Sequence, residues 1–211
     1  MMGDLFQDTR EPLAEGAVLL RGYATPEVPA LVAEIDAIAQ SAPFRHMTTP
    51  GGYDMSVAMT NCGALGWVTD RRGYRYDPAD PETGQPWPTM PECFATLAAR
   101  VADAAGYPDF TPDACLINRY EPGVRLSLHQ DKDERDFTQP IVSVSLGLPA
   151  TFLFGGLRRK DRSRRFALES GDVVVWGGAS RLVYHGIAPL AGGDDPLTGR
   201  RRLNLTLRKA G

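Results

Sequence analysis

Apolar residues recur at helical spacing in two stretches of the chain. After Thr25 as N-cap and Pro26 as first helical residue, Val28, Leu31, Val32, Ile35, Ile38 and Ala39 share one face until Pro43 forbids continuation. The second helix starts from the capping-box pattern Thr89-Met90-Pro91-Glu92, places Phe94, Leu97, Ala98 and Val101 on one stripe, and stops at Gly106. Each offers one apolar face to a sheet. From Asp113 onward the period shortens to two. ACLINRY, RLSLHQ, IVSVSL, TFLF, FALE, DVVVW, LVYH and RLNLTLR follow one another, separated by Gly, Pro and charged turns, with no helical pattern between them. The series predicts a mainly β fold with flanking helices, an antiparallel sandwich or barrel. Between the helices, His46 to Pro88 is rich in Gly, Pro, Tyr and Met, and turn signals such as TPGGY and DPADPETGQPWP outnumber periodic residues. So long an irregular stretch, carrying aromatics, is expected to form a lid over a site.

The same period of two places the polar residues. In Leu126-Ser127-Leu128-His129-Gln130-Asp131 the leucines face one side of a strand, while Ser127, His129 and Asp131 face the other. An imidazole and a carboxylate then stand side by side, able to grip one ion. His185 in LVYHG follows a later strand that the intervening sheet can fold back across. Two His and one carboxylate leave open positions on an octahedral ion, a set that calls for Fe(II) rather than zinc. His-x-Asp alone also fits an ordinary hydrogen-bonded pair, so the pattern needs a second signal. Arg202-Leu203-Asn204-Leu205-Thr206-Leu207-Arg208 supplies it, with both arginines, Asn204 and Thr206 on one face. A guanidinium matches a carboxylate bidentately, so two on one face suit a small dicarboxylate; a solvent-facing polar side fits the same alternation. In ACLINRY, Leu116, Asn118 and Tyr120 share parity and add an amide and a phenol.

Composition sharpens this only in part. A chain of 211 residues with 43% hydrophobic and 23% charged residues fits one globular domain, 1–211. There is no apolar run of membrane-spanning length, and MMGDLFQDTREP reads as neither a secretory nor a transit leader, so no membrane partner and a cytoplasmic location are expected. Cys62, Cys93 and Cys115 lie far apart and form no CxxC pair, which argues for reduced thiols. The net charge of −3 lacks the overall basic footprint of many nucleic-acid binders. Locally the picture differs, with LRRKDRSRR at Leu157 to Arg165 and RRGYR at Arg71 to Arg75. Such runs are solvated loops unless other residues give them a partner.

LINRYEPGVRLSLHQDKDE, SVSLGLPATFLFGG, GDVVVWGGASRLVYHGI and RLNLTLR together resemble the AlkB-type alkylation-repair dioxygenases of the bacterial kind. The resemblance extends through FRHMTTPGGYDMSVAMTNCGALGW and AAGYPDFTPDACLI and covers nearly the whole chain. It implies a double-stranded β-helix, or jelly roll, of about residues 113–211, and an N-terminal nucleotide-recognition lid of about 44–88. It implies His129, Asp131 and His185 as iron ligands. Asn118, Tyr120, Arg202, Asn204 and Arg208, with Arg119 and Thr206 in the same set, would bind 2-oxoglutarate; which arginine takes which carboxylate stays open. Trp67 would stack on the base against His129, and Asp133 would accept from its exocyclic amine. Tyr74, Arg75, Tyr76 and Arg159 would contact the substrate, Thr49 and Tyr53 its phosphates, and Met55 and Met59 would line the lid's underside. The implied reaction consumes 2-oxoglutarate and O2 and hydroxylates the N-alkyl carbon of bases such as 1-methyladenine and 3-methylcytosine; the hemiaminal then collapses to an aldehyde and the free base. The implied partner is alkylated single-stranded DNA, with double-stranded DNA or RNA also open, acted on by a monomer. A hydroxylase of proteins or small molecules, or an idle nucleic-acid-binding module, are the alternatives.

Overall fold

The computed structural model describes residues 9–211. For residues 1–8 the leader-free reading of the N-terminus lies outside the described residues. In chain order the strands are β1 (Arg10–Ala14), β2 (Ala17–Leu20), β3 (Ala58–Gly63), β4 (Gly66–Asp70), β5 (Gly73–Asp77), β6 (Ala114–Tyr120), β7 (Leu126–His129), β8 (Ile141–Gly147), β9 (Ala150–Phe154), β10 (Arg164–Leu168), β11 (Val173–Trp176), β12 (His185–Ile187) and β13 (Arg202–Arg208). The helices are α1 (Val28–Ser41) and α2 (Glu92–Ala104). A seven-stranded sheet runs β1-β2-β11-β8-β13-β6-β3, a four-stranded sheet runs β10-β9-β12-β7, and β4 and β5 form a hairpin.

Side-chain alternation decides the layering. Leu203, Leu205 and Leu207 of β13, Val142 and Val144 of β8, and Val173 and Val175 of β11 pack with the apolar stripes of both helices. Leu31, Ile35, Phe94 and Val101 are 0% exposed there, and burying each such side chain stabilises the fold by about 1.5–3 kcal/mol. The opposite face of the large sheet meets the small one, with Val174, Trp176, Phe152, Phe154, Ile187 and Leu116 in a second cluster. Two sheets face to face with helices behind one of them make the expected jelly roll. Among the described residues, no helix is long and apolar enough to cross a membrane.

Four local expectations change. Pro26 lies in a single 3-10 turn, Thr25–Glu27, and Thr25 makes no side-chain cap; α1 begins at Val28 with Pro29 in its first turn. A helix started at Pro26 would carry Pro29 deeper, where its ring crowds the preceding turn. The capping box does not form either, because Pro91 is itself the N-cap and leaves Thr89 outside the helix. The end of α2 is as expected: Gly106 has φ of 92°, its N–H reaches the Asp103 carbonyl, and the Tyr107 N–H reaches that of Ala102, which closes the last turn. LVYH is a strand only from His185. Finally, the stretch read as irregular holds three strands. β3 pairs with β6 from Ala58↔Arg119 to Gly63↔Ala114 and so extends the large sheet. β1 and β2, too short to register as a periodic pattern, close the other edge.

Candidate active site

Strand register brings the two histidines together. His129 ends β7, His185 opens β12, and the two are direct cross-strand partners. The next pairing is Ile187↔Leu126, so three steps on β7 oppose two on β12. That bulge turns Leu126 inward with His129, and Leu126 packs on the inner cluster where strict alternation had put it on the other face. Gly186 makes the close approach feasible, since a Cβ there would lie 2.5 Å from the Leu126 carbonyl oxygen. Asp131 follows in the loop after β7. The ligand atoms of His129, Asp131 and His185 lie within 4.8 Å of one another, with Nε2 of His129 3.6 Å from Asp131 Oδ1 and Nε2 of His185 3.8 Å from Oδ2.

Electrostatics prepare these groups to hold a cation. Nδ1 of His129 and Nδ1 of His185 each lie 3.0 Å from a main-chain carbonyl, of Ser127 and Val183. A carbonyl only accepts, so each Nδ1 donates and each Nε2 keeps its lone pair. Burial, helped by His129, pushes the His185 imidazole down to about 4 and keeps it neutral. Burial pushes the Asp131 carboxyl up, but Arg208, His185 and His129 outweigh it and hold Asp131 below the usual carboxylate range. Arg208 donates Nε and Nη2 to Asp131 Oδ2 at 3.0 and 2.6 Å.

The polar face of β13 points inward. Arg202, Asn204, Thr206 and Arg208 are all buried and line a cavity of about 490 Å³ together with the three candidate ligands, Asn118 and Tyr120. Asn204 is satisfied by the protein: its Nδ2 donates to Ser143 Oγ and the Val144 carbonyl, and its Oδ1 accepts from Asn118 and Thr206. Arg202 is not. It donates Nη2 to Ser145 Oγ at 3.1 Å and lies over the Tyr120 ring, while its Nε and Nη1 are buried with no partner, as is Asn118 Oδ1. Burial pushes the Tyr120 phenol up to about 12, so it stays protonated. An unmatched buried guanidinium is costly, and a carboxylate bound in the cavity supplies what Arg202 lacks. Arg119, by contrast, projects from the opposite face of β6 and lies over the Phe44 ring at 4.8 Å. Its odd position in the period removes it from the cosubstrate set.

The substrate candidates divide. Trp67, Tyr74, Asp133, Arg159, Thr49, Met55 and Met59 line the cavity. Trp67 stacks on Tyr74 with ring centroids 5.8 Å apart and donates Nε1 to Asp133 Oδ2 at 2.8 Å. Arg159 lies over Tyr184. Arg75 is taken up by Asp70 and Asp77, and Arg75 and Tyr76 line, with Arg135 and Pro78, an adjoining groove that shares Tyr74 and Asp133 with the cavity. Tyr53 is 77% exposed outside the cavity, although its main chain is tied to the Thr49 hydroxyl. Several residues went unforeseen. Asn61, 0% exposed, clamps the Trp67 main chain by donating to its carbonyl and accepting from its N–H. Glu134 and Arg181 join the Arg208–Asp131 pair, and Trp176 packs 4.8 Å from the His185 ring. Only Ser143 and Ser145 had a signal, the alternation of IVSVSL.

A jelly roll with a His-Asp-His cluster at one end and an unpaired arginine within defines a non-haem iron oxygenase. The 2OG-Fe(II) oxygenase superfamily profile matches residues 16–208, and the chain belongs to that superfamily and to its AlkB-type branch. It is 63% identical over 213 residues to the alpha-ketoglutarate-dependent dioxygenase AlkB of Escherichia coli (strain K12), spanning 100% of this chain and 99% of that one. An AlkB homolog of Caulobacter vibrioides is 47% identical over 182 residues, 86% of this chain and 81% of the other. Human nucleic acid dioxygenase ALKBH1 is 33% identical over 123 residues, 58% of this chain and 31% of its own length. The solved structure of OsALKBH1 superposes with a TM-score of 0.84 at 29% identity, covering 95% of this chain and 99% of that chain. The protein is an Fe(II)- and 2-oxoglutarate-dependent dioxygenase.

Proposed function

We propose that the protein oxidatively removes small alkyl groups from nucleobases, 1-methyladenine and 3-methylcytosine among them, and that it prefers single-stranded DNA and works as a monomer. The carrying observation is a single cavity that unites His129, Asp131 and His185 with the unmatched donors of Arg202 and the ring of Trp67. With iron, 2-oxoglutarate and O2 bound, oxidative decarboxylation to succinate and CO2 would take one oxygen atom of O2 and deliver the other to the N-alkyl carbon, whose hemiaminal releases an aldehyde and the free base.

The chain's own residues hold and aim. His129 and His185 present Nε2 lone pairs, and Asp131, kept ionised by Arg208, supplies the carboxylate. Arg202 receives a cosubstrate carboxylate through Nε and Nη1, leaving Arg208 with Asp131 as its main partner. Trp67 and His129 flank the space for a flipped base. A cationic ring between two π faces gains roughly 0.5–2 kcal/mol. Asp133 has Oδ2 committed to Trp67, which leaves Oδ1 for the exocyclic amine. Within residues of about 44–88, the parts outside β3, with the β4–β5 hairpin, serve as the lid, and Arg159 and its basic neighbours take backbone phosphates, contacts that position a strand without reading its sequence. Single strands are favoured because extrusion from a duplex costs a few kcal/mol.

The decisive assay follows succinate and formaldehyde together from an oligonucleotide carrying one 1-methyladenine. Equimolar release supports the reading. Succinate without formaldehyde, with turnover on a protein or small molecule instead, would replace it by the hydroxylase alternative.

A further inference from the structure

The loop that carries Asp131 also seats the hairpin. Trp67 and Tyr76 are direct cross-strand partners on β4 and β5. Trp67 Nε1 donates to Asp133 Oδ2 at 2.8 Å, and the Tyr76 hydroxyl donates to Glu134 Oε1 at 2.7 Å. One rung of the hairpin is thereby pinned to two consecutive carboxylates, two and three residues beyond a metal-ligand candidate.

Glu134 reaches further than Asp133. It is 6% exposed and meets two arginines: Arg181 donates Nη2 to its Oε2 at 3.1 Å, and Arg208 Nε lies 3.3 Å from its Oε1. Both arginines also grip Asp131. Arg208 holds the side-chain Oδ2, while Arg181 donates Nη1 to the Asp131 main-chain carbonyl at 2.8 Å. Asp131, Arg208, Glu134 and Arg181 therefore close a ring of two negative and two positive charges. With a neutral group at 134 the ring carries a surplus positive charge beside the place for a divalent cation, where low dielectric strengthens the repulsion. Arg181 also stands four residues ahead of His185 and donates Nε to the Gln139 carbonyl at 3.0 Å, which ties the segment delivering the third ligand to the Asp131 loop.

We infer that Glu134 is a positioning residue: it holds both arginines that orient Asp131, and through Tyr76 it latches the β4–β5 hairpin onto the metal centre. The inference rests on the metal assignment to His129, Asp131 and His185. Asp133 orients the stacking ring, and Glu134 fixes where that ring sits relative to the reacting centre.

The test uses Mn(II) alone, a divalent ion suited to carboxylate and imidazole ligands, titrated into the full chain by electron paramagnetic resonance of the free ion. Amide hydrogen exchange over residues 66–77 is read in parallel. Glu134→Gln is expected to weaken Mn(II) binding by about 10- to 100-fold, the usual cost of losing a partner behind a ligand, while its amide oxygen still accepts from Tyr76 and hairpin exchange stays near wild type. Tyr76→Phe is expected to speed hairpin exchange alone and leave Mn(II) affinity unchanged. Wild-type Mn(II) affinity in Glu134→Gln overturns the positioning role, and unaltered hairpin exchange in Tyr76→Phe overturns the latch. Should Glu134→Gln not fold, Arg181→Lys takes its place: it keeps the charge but cannot span its three acceptors, and unchanged Mn(II) affinity there overturns the claim equally. Wild-type protein that binds no Mn(II) sinks the metal assignment itself, a result distinct from the others.

Discussion

At the scale of single residues, the two arginines of β13 separate cleanly. Arg202 has two buried donors without partners, whereas Arg208 is engaged by Asp131 and Glu134. Arg202→Ala is expected to raise the 2-oxoglutarate KM strongly and leave Mn(II) binding intact; Arg208→Ala is expected to weaken metal binding as well. Equal metal affinity in both variants would contradict this division. The three candidate ligands separate by stability. Each alanine variant should abolish coupled succinate release, but Asp131→Ala also takes from buried Arg208 its closest partner and leaves it Glu134 at 3.3 Å, a loss of roughly 3 kcal/mol, the lower end for breaking a buried pair. Urea midpoints should therefore fall much further for Asp131→Ala than for His129→Ala, whose ring is one-third exposed. Asp133 serves Trp67 and, in the proposed reading, the base amine. Asp133→Asn keeps an oxygen for Trp67 and removes the charge. It should lower kcat/KM for 1-methyladenine about ten- to a hundredfold, the worth of a charge-assisted hydrogen bond of roughly 1.5–3 kcal/mol, while 3-methylthymine, with a carbonyl at that place, changes little. A uniform loss on both would reduce Asp133 to a support for the tryptophan.

At the scale of elements, the pairing of β7 with β12 decides whether the ligands meet. Its bulge sets His129 opposite His185, and Gly186 lets the strands close over the Leu126 carbonyl. Gly186→Ala inserts a methyl where 2.5 Å is available, so β12 must move away from β7. Overpacking of this kind costs typically about 1–3 kcal/mol. The fold should survive with a lowered thermal midpoint, and activity should drop out of proportion, because the displaced strand carries the candidate ligand His185. Undiminished turnover in Gly186→Ala would show that the ligand separation tolerates strand movement.

At the scale of the whole molecule, a net charge of −3 means that nucleic acid must be drawn to local basic surface rather than to the protein at large. Arg158, Arg159, Lys160 and Arg162 follow β9, beside the cavity mouth that Arg159 lines. Replacing Arg159 and Arg162 by Ala should weaken binding of a methylated single strand alike across sequences. It should also flatten the dependence of log K on log salt, by about 0.7 for each phosphate that is no longer neutralised. An unchanged salt slope would return these residues to the status of a solvated loop. In the proposed reading the hairpin bearing Trp67 adds the base-reading side of the same mouth, and its hydrogen bonds to Asp133 and Glu134 would join recognition to the candidate metal site.

Sequence alone determined the elements whose period is long or strict. Both helices, the strands after Asp113, the single polar face of β13 and the shared parity of Leu116, Asn118 and Tyr120 follow from side chains alternating on a backbone of known pitch, but that the polar face of β13 turns inward was decided by packing, since the same alternation fits a solvent-facing side. The same alternation that brings Asn118 and Tyr120 inward sends Arg119 out to Phe44. What the sequence could not settle depends on partners distant along the chain. No local pattern announces that three steps of β7 oppose two of β12, that β3 leaves a Gly- and Pro-rich stretch to join the large sheet, or that Arg181 and Glu134 enclose Asp131. Those choices were made by pairing register and by buried charges that had to find one another. A hydrogen bond or ion pair between remote residues leaves no period behind, because its energy depends on separation in space and not on spacing along the chain.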